Sequence, residues 1–216
     1  MAFWPFGSRE KAPPPEPPRR VAGLIPCAGE SQRMGTSKAL LDAGGRSFLS
    51  AVVGALVGGG CDPVVVVVGD GQDDEERKAK AAGAVTLLNP DPGEGPITSV
   101  RLGLAALEGA AAGVALLPVD HPRVRPETVA NLVERFLDSS APLVLPVHGG
   151  ARGHPALIRH PLFGELRDPR LEGGARTVVH RHLDAALLVE VDDPGVLLDI
   201  DTPEEYRAAF PRSPGP

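Results

Sequence analysis

The chain has 216 residues, 42% of them hydrophobic and 23% charged, with a formal net charge of −6 at pH 7. Those proportions fit one ordinary globular domain with a sizeable core. They exclude a non-specific nucleic-acid binder, which needs a basic surface, but not a nucleotide binder. A triphosphate can be held by a few cations, backbone amides and a metal ion. Cys27 and Cys61 alone make no disulfide framework, so a reducing, cytoplasmic setting is expected. The longest apolar run, at 63–68, is far below the roughly 20 residues that cross a bilayer. The apolar stretch after Arg19-Arg20 is shorter than the roughly 7–15 residues of a signal core. Neither nucleic acid nor membrane is expected as a partner.

In chain order, residues 1–20 are rich in proline and charge, with Pro13-Pro-Pro-Glu-Pro-Pro18 favouring polyproline II. A disordered tail is expected there, with a docking peptide as the alternative. Residues 21–26 read as a short apolar strand, followed by a glycine-bearing loop running to Leu41. Residues 47–57 carry helical periodicity, closed by Gly58-Gly59-Gly60. The β-branched run at 63–68 predicts a strand buried on both faces. A charged surface helix at 73–82, a strand at 85–88 and a helix at 96–107 come next. Then follow a strand at 114–118, a helix at 126–137 and a strand at 143–147. Residues 148–188 are less regular and are assigned to a lid or acceptor pocket; 211–216 read as a second loose end.

Strands separated by single helices predict an α/β domain over 21–210, with a Rossmann-like, mostly parallel sheet and helices on both faces. Ligands in such sheets sit beyond the carboxyl ends of the strands. That rule singles out the loop after the first strand, residues 89–95 and Asp120.

The first loop reads Cys27-Ala28-Gly29-Glu30-Ser31-Gln32-Arg33-Met34-Gly35-Thr36-Ser37-Lys38. Gly29 and Gly35 allow close backbone approach to a phosphate, and Arg33 with Lys38 supplies two cations for it. The loop lacks both the Gly-Lys-Ser/Thr of a Walker A motif and a G-x-G-x-x-G fingerprint. By spacing alone, a solvated loop explains it equally well. Asp120 stands at a strand end, where a carboxylate suits Mg²⁺. Thr202-Pro203-Glu204-Glu205 has the form of a capping box with proline at the first helical position. That leaves Asp199 and Asp201 unexplained, on one face of an extended segment; either could reach a metal, and Asp201 is taken as the ligand. His154, between Gly153 and Pro155, suits a hydrogen-bonded turn or a substrate contact. His180 and His182 read as surface residues, and no zinc spacing occurs. Cys27 reads as a small residue at the edge of the core and not as a nucleophile.

Taken together, the first loop resembles the A-G-x-S-x-R-M-G-x-x-K signature of the MobA-like nucleotidyltransferases, nearest to the molybdenum cofactor cytidylyltransferases. Further elements follow in order: Asn89, Gly95-Pro-Ile-Thr-Ser99 with Gly103, and Leu116-Leu-Pro-Val-Asp120-His-Pro122. Gly153-His154-Pro155 and Asp199-Ile-Asp201-Thr-Pro-Glu204 complete the set. The resemblance spans roughly 21–207. Leu171-Glu-Gly-Gly-Ala-Arg176 is a shortened form of the family's G-D-x-G-A-R stretch, and His121 stands where Met or Gln is more usual.

The resemblance implies transfer of CMP from CTP to the phosphate of molybdopterin, with release of pyrophosphate. It assigns catalysis to Arg33, Lys38 and Asp120, and Mg²⁺ binding to Asp120 and Asp201. Substrate binding falls to Cys27, Ala28, Gly29, Gly35, Asn89, Gly95, Ser99 and His154. A sugar 1-phosphate or another phosphorylated acceptor is the alternative substrate. The non-enzymatic alternative is a nucleotide-binding maturation chaperone for a molybdenum enzyme partner, docked through the proline-rich tail.

Overall fold

The protein is described from a computed structural model covering residues 18–29, 37–93 and 95–211. The expected loose ends at 1–17 and 212–216, and the candidate residues Arg33 and Gly35, lie outside the described residues. Residues 19 and 20, expected to be part of the tail, are already attached to the domain. Arg20 Nε donates to Ala110 O at 2.8 Å and its Nη1 pairs with Asp62 at 2.9 Å.

The strands are β1 (Val21–Pro26), β2 (Val64–Gly69), β3 (Val85–Asn89), β4 (Gly113–Leu116), β5 (Leu143–His148), β6 (Ala151–Arg152), β7 (Ala156–Arg159) and β8 (Leu187–Glu190). The helices are α1 (Phe48–Gly58), α2 (Asp73–Ala81), α3 (Pro96–Ala106), α4 (Pro126–Asp138), α5 (Phe163–Arg167), α6 (Ala175–Arg181) and α7 (Pro203–Ala209). Among the described residues the strands form one sheet in the order β3-β2-β1-β4-β7-β5-β6, with β8 also paired to β5. Neighbours from β3 to β4 run parallel, as do β5 and β8; β6 and β7 run antiparallel to their partners.

The expectation for 148–188 needs correction. That segment is not only an irregular lid: it contains β7, which inserts between β4 and β5 and completes the sheet's centre, and α5 and α6, which cover one face.

The period-2 alternation of the strands divides the core cleanly. Val64, Val66 and Val68 of β2 face α1, α2 and α4, whereas Val65 and Val67 face α3, α5 and α6. Every residue of β2 is buried, which is why its sequence shows no polar alternation. Ser47 caps α1 by accepting from Ser50 N at 3.1 Å, and Thr202 and Glu205 form the capping box foreseen at α7. A smaller cluster of Leu41, Phe48, Ile200 and Tyr206 clamps the final segment against the end of the first loop. This contact carries residues 199–201 to the carboxyl ends of β1 and β4.

Candidate nucleotidyl-transfer site

The site is assembled from three separated stretches of chain. Beyond β1, Cys27 N continues the ladder by donating to Val67 O at 2.8 Å. Cys27 and Ala28 are each 7% exposed, and the backbone emerges at exposed Gly29, where a Cβ would meet nothing within 4 Å. Burial pushes the Cys27 thiol up to about 12, so it is no nucleophile at neutral pH.

The chain returns at a single 3₁₀ turn, Lys38–Leu40. Ala39 and Leu41 are buried, and they fix the turn so that Lys38 points into the sheet edge. Its ammonium bonds Asp201 and lies 3.7 Å from Asp120 Oδ2. Asp120 sits just beyond β4, and its carbonyl accepts from Ile200 N at 3.0 Å. Asp201 is held in turn by Glu205, whose Oε2 accepts from the backbone N–H of both Asp201 and Thr202 at 2.8 Å. The foreseen alternation holds: Ile200 is fully buried between exposed Asp199 and half-exposed Asp201. Of the two, Asp201 is the one that pairs with Lys38.

Electrostatically, Lys38 faces two carboxylates among the described residues. Burial raises the Asp120 carboxyl above its usual range, Lys38 opposes that shift, and Asp201 adds to it. Asp120 Oδ1 is buried and has no hydrogen-bond partner among the described residues. Such an atom normally costs about 1–3 kcal/mol, and a hard cation is one ligand that would satisfy it. No group of three or more His, Cys, Asp or Glu among the described residues is placed to hold a metal unaided. Two carboxylates suit Mg²⁺, which takes its remaining ligands from water and substrate phosphate.

His121, set aside in the sequence as a neutral departure, is part of the site. It is 7% exposed, and its ring meets that of His154 with centroids 4.7 Å apart. Its Nε2 lies 3.8 Å from Asp120 Oδ1. His154 N donates to Val196 O at 2.8 Å. Burial first, and then neighbouring His121, lowers His154 to about 4, while burial lowers His121 as well. Both imidazoles are thus neutral at pH 7, and both Nδ1 atoms are buried without partners among the described residues. The available signal was position: a histidine directly after the strand-end aspartate.

Asn89 and Ser99 differ from the expectation of direct substrate contact. Asn89 is 2% exposed and Ser99 fully buried. Asn89 Nδ2 donates to Thr98 Oγ1 at 2.9 Å and Ser99 Oγ at 3.1 Å, and its Oδ1 accepts from Asp91 N at 3.1 Å. They fasten β3 to the start of α3 and shape the intervening loop from beneath. Gly95, the N-cap of α3, has φ +87°, a backbone that only glycine adopts without strain. His180 is exposed on α6, and His182 bonds Glu165 at 2.7 Å, both apart from the site.

Known proteins resemble this chain over most of its length. The model for the MobA-like NTP transferase domain matches residues 23–186. A Mycolicibacterium paratuberculosis protein named "Probable molybdenum cofactor guanylyltransferase" is 32% identical over 194 residues, 88% of this chain and 94% of its own. The molybdenum cofactor cytidylyltransferase of Escherichia coli K12 is 27% identical over 88% of this chain and 95% of its own. The crystal structure of Rv0371c from Mycobacterium tuberculosis H37Rv superposes with a TM-score of 0.76 at 26% identity, covering 89% of this chain and 97% of that one.

Proposed function

The chain belongs to the family of MobA-like NTP transferase domains and is a nucleotidyltransferase; we propose that it moves CMP from CTP onto the terminal phosphate of molybdopterin. The observation that carries the reading is the convergence of Lys38 on Asp120 and Asp201, three charges brought together from distant parts of the chain. In the reaction, an acceptor oxygen forms a bond to the α-phosphorus, the bond from that phosphorus to the β-phosphate oxygen breaks, and pyrophosphate leaves. A phosphate monoester has a second pKa near 6 and is largely ionised at neutral pH. It therefore needs no general base, which suits a site whose two imidazoles are buried and neutral. What the protein must do is hold two anions in line and offset their charge.

Lys38, together with Arg33, binds the triphosphate tail and the departing pyrophosphate. The exposed backbone at Gly29 offers close approach to phosphate, and Ala28 and Gly95 border the nucleotide. Asp120 and Asp201 are the residues that would hold Mg²⁺. When bound, such an ion supplies neutralisation of phosphate charge.

CTP is favoured by Cys27-Ala28-Gly29, just after the first strand, which resembles the loop of the CTP-using branch of the family; the Escherichia coli cytidylyltransferase is also among the relatives. A GTP reading is supported by the names of the mycobacterial relatives. The deciding measurement is magnesium-dependent pyrophosphate release with molybdenum-loaded pterin, comparing CTP, GTP and ATP. Release from CTP at least about tenfold faster than from GTP is expected, a difference of about 1.4 kcal/mol. Preference for GTP would establish the second reading, and no release from any of the three would defeat both.

A further inference from the structure

Behind the site, on the far side of the loop joining β4 to α4, lies a groove that nucleotidyl transfer does not use. Its first cavity, of about 270 Å³, is lined by Arg46, Arg123 and Arg125 over an apolar floor that includes Pro122, Pro126 and Phe210. Among the described residues no carboxylate lines it, in a chain whose formal charge is −6. The three guanidiniums are held differently: Arg123 by a backbone carbonyl and a ring, Arg125 by an ion pair, and Arg46 on the exposed surface. Arg123 Nη1 donates to the Ala209 carbonyl at 2.7 Å, and its guanidinium stands 5.5 Å over the Phe210 ring. Arg46 has no carboxylate partner among the described residues. Arg125 Nε lies 3.3 Å from Asp193 Oδ1, yet its side chain is 53% exposed. The carboxylate of Asp193 is shared with Arg125 N, Thr128 Oγ1 and Gly195 N.

Beyond Arg125 the groove continues into a cavity of about 380 Å³ bordered by Asp193, Pro194, Gly195 and Leu198. On another side of Arg125 a further cavity is bordered by Glu127, Glu190 and Asp192. Positive charge is therefore confined to one stretch and bounded by acidic residues. A long polyanion would meet repulsion at that boundary, while a free phosphate would leave the apolar floor unused. An anion carried on an apolar chain uses both features, and Arg123, already oriented by Ala209 and Phe210, reduces the ordering cost of binding it.

We infer that this groove docks a short acidic segment of a partner protein, with carboxylates on Arg46, Arg123 and Arg125 and apolar side chains on the floor around Phe210. The docking stretch adjoins Asp120 and shares the 193–201 segment with the site, so an occupant would lie against the back wall of the catalytic crevice. The inference does not depend on which reaction that crevice performs.

Fluorescence anisotropy on the full chain tests it. The probe is a fluorescein-labelled, end-blocked peptide with two central glutamates flanked by leucines, and the control peptide carries glutamines in their place. At low ionic strength the glutamate peptide should bind about tenfold tighter than the control. Arg46→Glu and Arg125→Glu should each weaken it by about tenfold or more, with pyrophosphate release in the absence of peptide unchanged. Arg125 shares the buried Asp193, so melting curves accompany both variants; exposed Arg46 keeps the test decisive if Arg125→Glu unfolds. Equal binding of the two peptides, or unaltered binding by Arg46→Glu, would overturn the inference. Displacement of the peptide by equimolar inorganic phosphate would do so too, making the groove a small-anion site. Equal displacement by oligothymidylate would make it a general polyanion surface.

Discussion

Lys38 is the residue on which most of the chemistry converges. Its side chain is 15% exposed and faces two carboxylates, so replacing it removes both a phosphate ligand and the charge that keeps those carboxylates from repelling. Lys38→Ala should lower the pyrophosphate-release rate by about 10²–10³-fold, by analogy with the loss of an oxyanion donor. A loss under fivefold in a variant that melts normally would remove Lys38 from the mechanism. The two histidines give a second signature, this time in stability. His154 titrates near 4 when folded against about 6.5 when unfolded, so between those values the unfolded chain binds more protons. Stability is therefore fully present above about pH 6.5 and declines as pH falls toward 4, by at most about 3 kcal/mol. His121 is lowered too and adds in the same direction, while Asp120, raised by burial, works oppositely from the carboxylate range upward. Melting temperature against pH should show this acid limb, and His154→Asn should flatten its slope. An unchanged slope would mean that the imidazole is not buried neutral.

At the scale of elements, the back wall of the site is joined by Asp193. This 2% exposed carboxylate accepts from Arg125 N at 3.0 Å, Thr128 Oγ1 at 2.7 Å and Gly195 N at 3.0 Å, tying the start of α4 to the segment before α7. Asp193→Ala leaves those donors unpaired in a buried setting and should cost about 3 kcal/mol, a fall in melting temperature of roughly 6–12 °C. Gly153 makes a tighter join, because any Cβ there would collide with the Val196 carbonyl. The same elements show what the sequence could reveal. The strand at 64–69 was legible because burial on both faces leaves an unbroken apolar run, and the α7 capping box because its interactions are local. Strand β7 was not: four residues after a turn carry little periodicity, and their place between β4 and β5 depends on pairing with both. Direction was equally hidden. Asn89 and Ser99 stand in the expected stretch of chain, but only the packing shows that they face inward. Alternation placed Asp199 and Asp201 on one face, but only the folded chain shows that Asp201 pairs with Lys38, more than 160 residues away.

The molecule as a whole divides its labour unevenly between its ends. The family match closes at residue 186, yet the chain beyond that point carries Asp201 and the strand β8, which pairs with β5 over Val144 to Val147. It also supplies Val196, Ile200 and Tyr206, all at most 1% exposed. Tyr206 and Phe210 stack on Phe48 of α1 with ring centroids 5.9 and 5.6 Å away, so the last segment braces the helix that follows the first loop. A chain shortened to end at residue 186 would expose the β5 edge and the apolar surface of α1, losing about 1.5–3 kcal/mol for each large buried side chain removed. Several such losses together approach the whole stability of a typical domain. The shortened protein should therefore show no cooperative thermal transition and bind little nucleotide, and adding the 187–211 segment as a separate peptide should restore neither at equimolar concentration, because joining two chains carries an association cost that one chain avoids. A shortened protein that melted cooperatively and still released pyrophosphate would place the second carboxylate, and with it the charge balance around Lys38, somewhere other than Asp201.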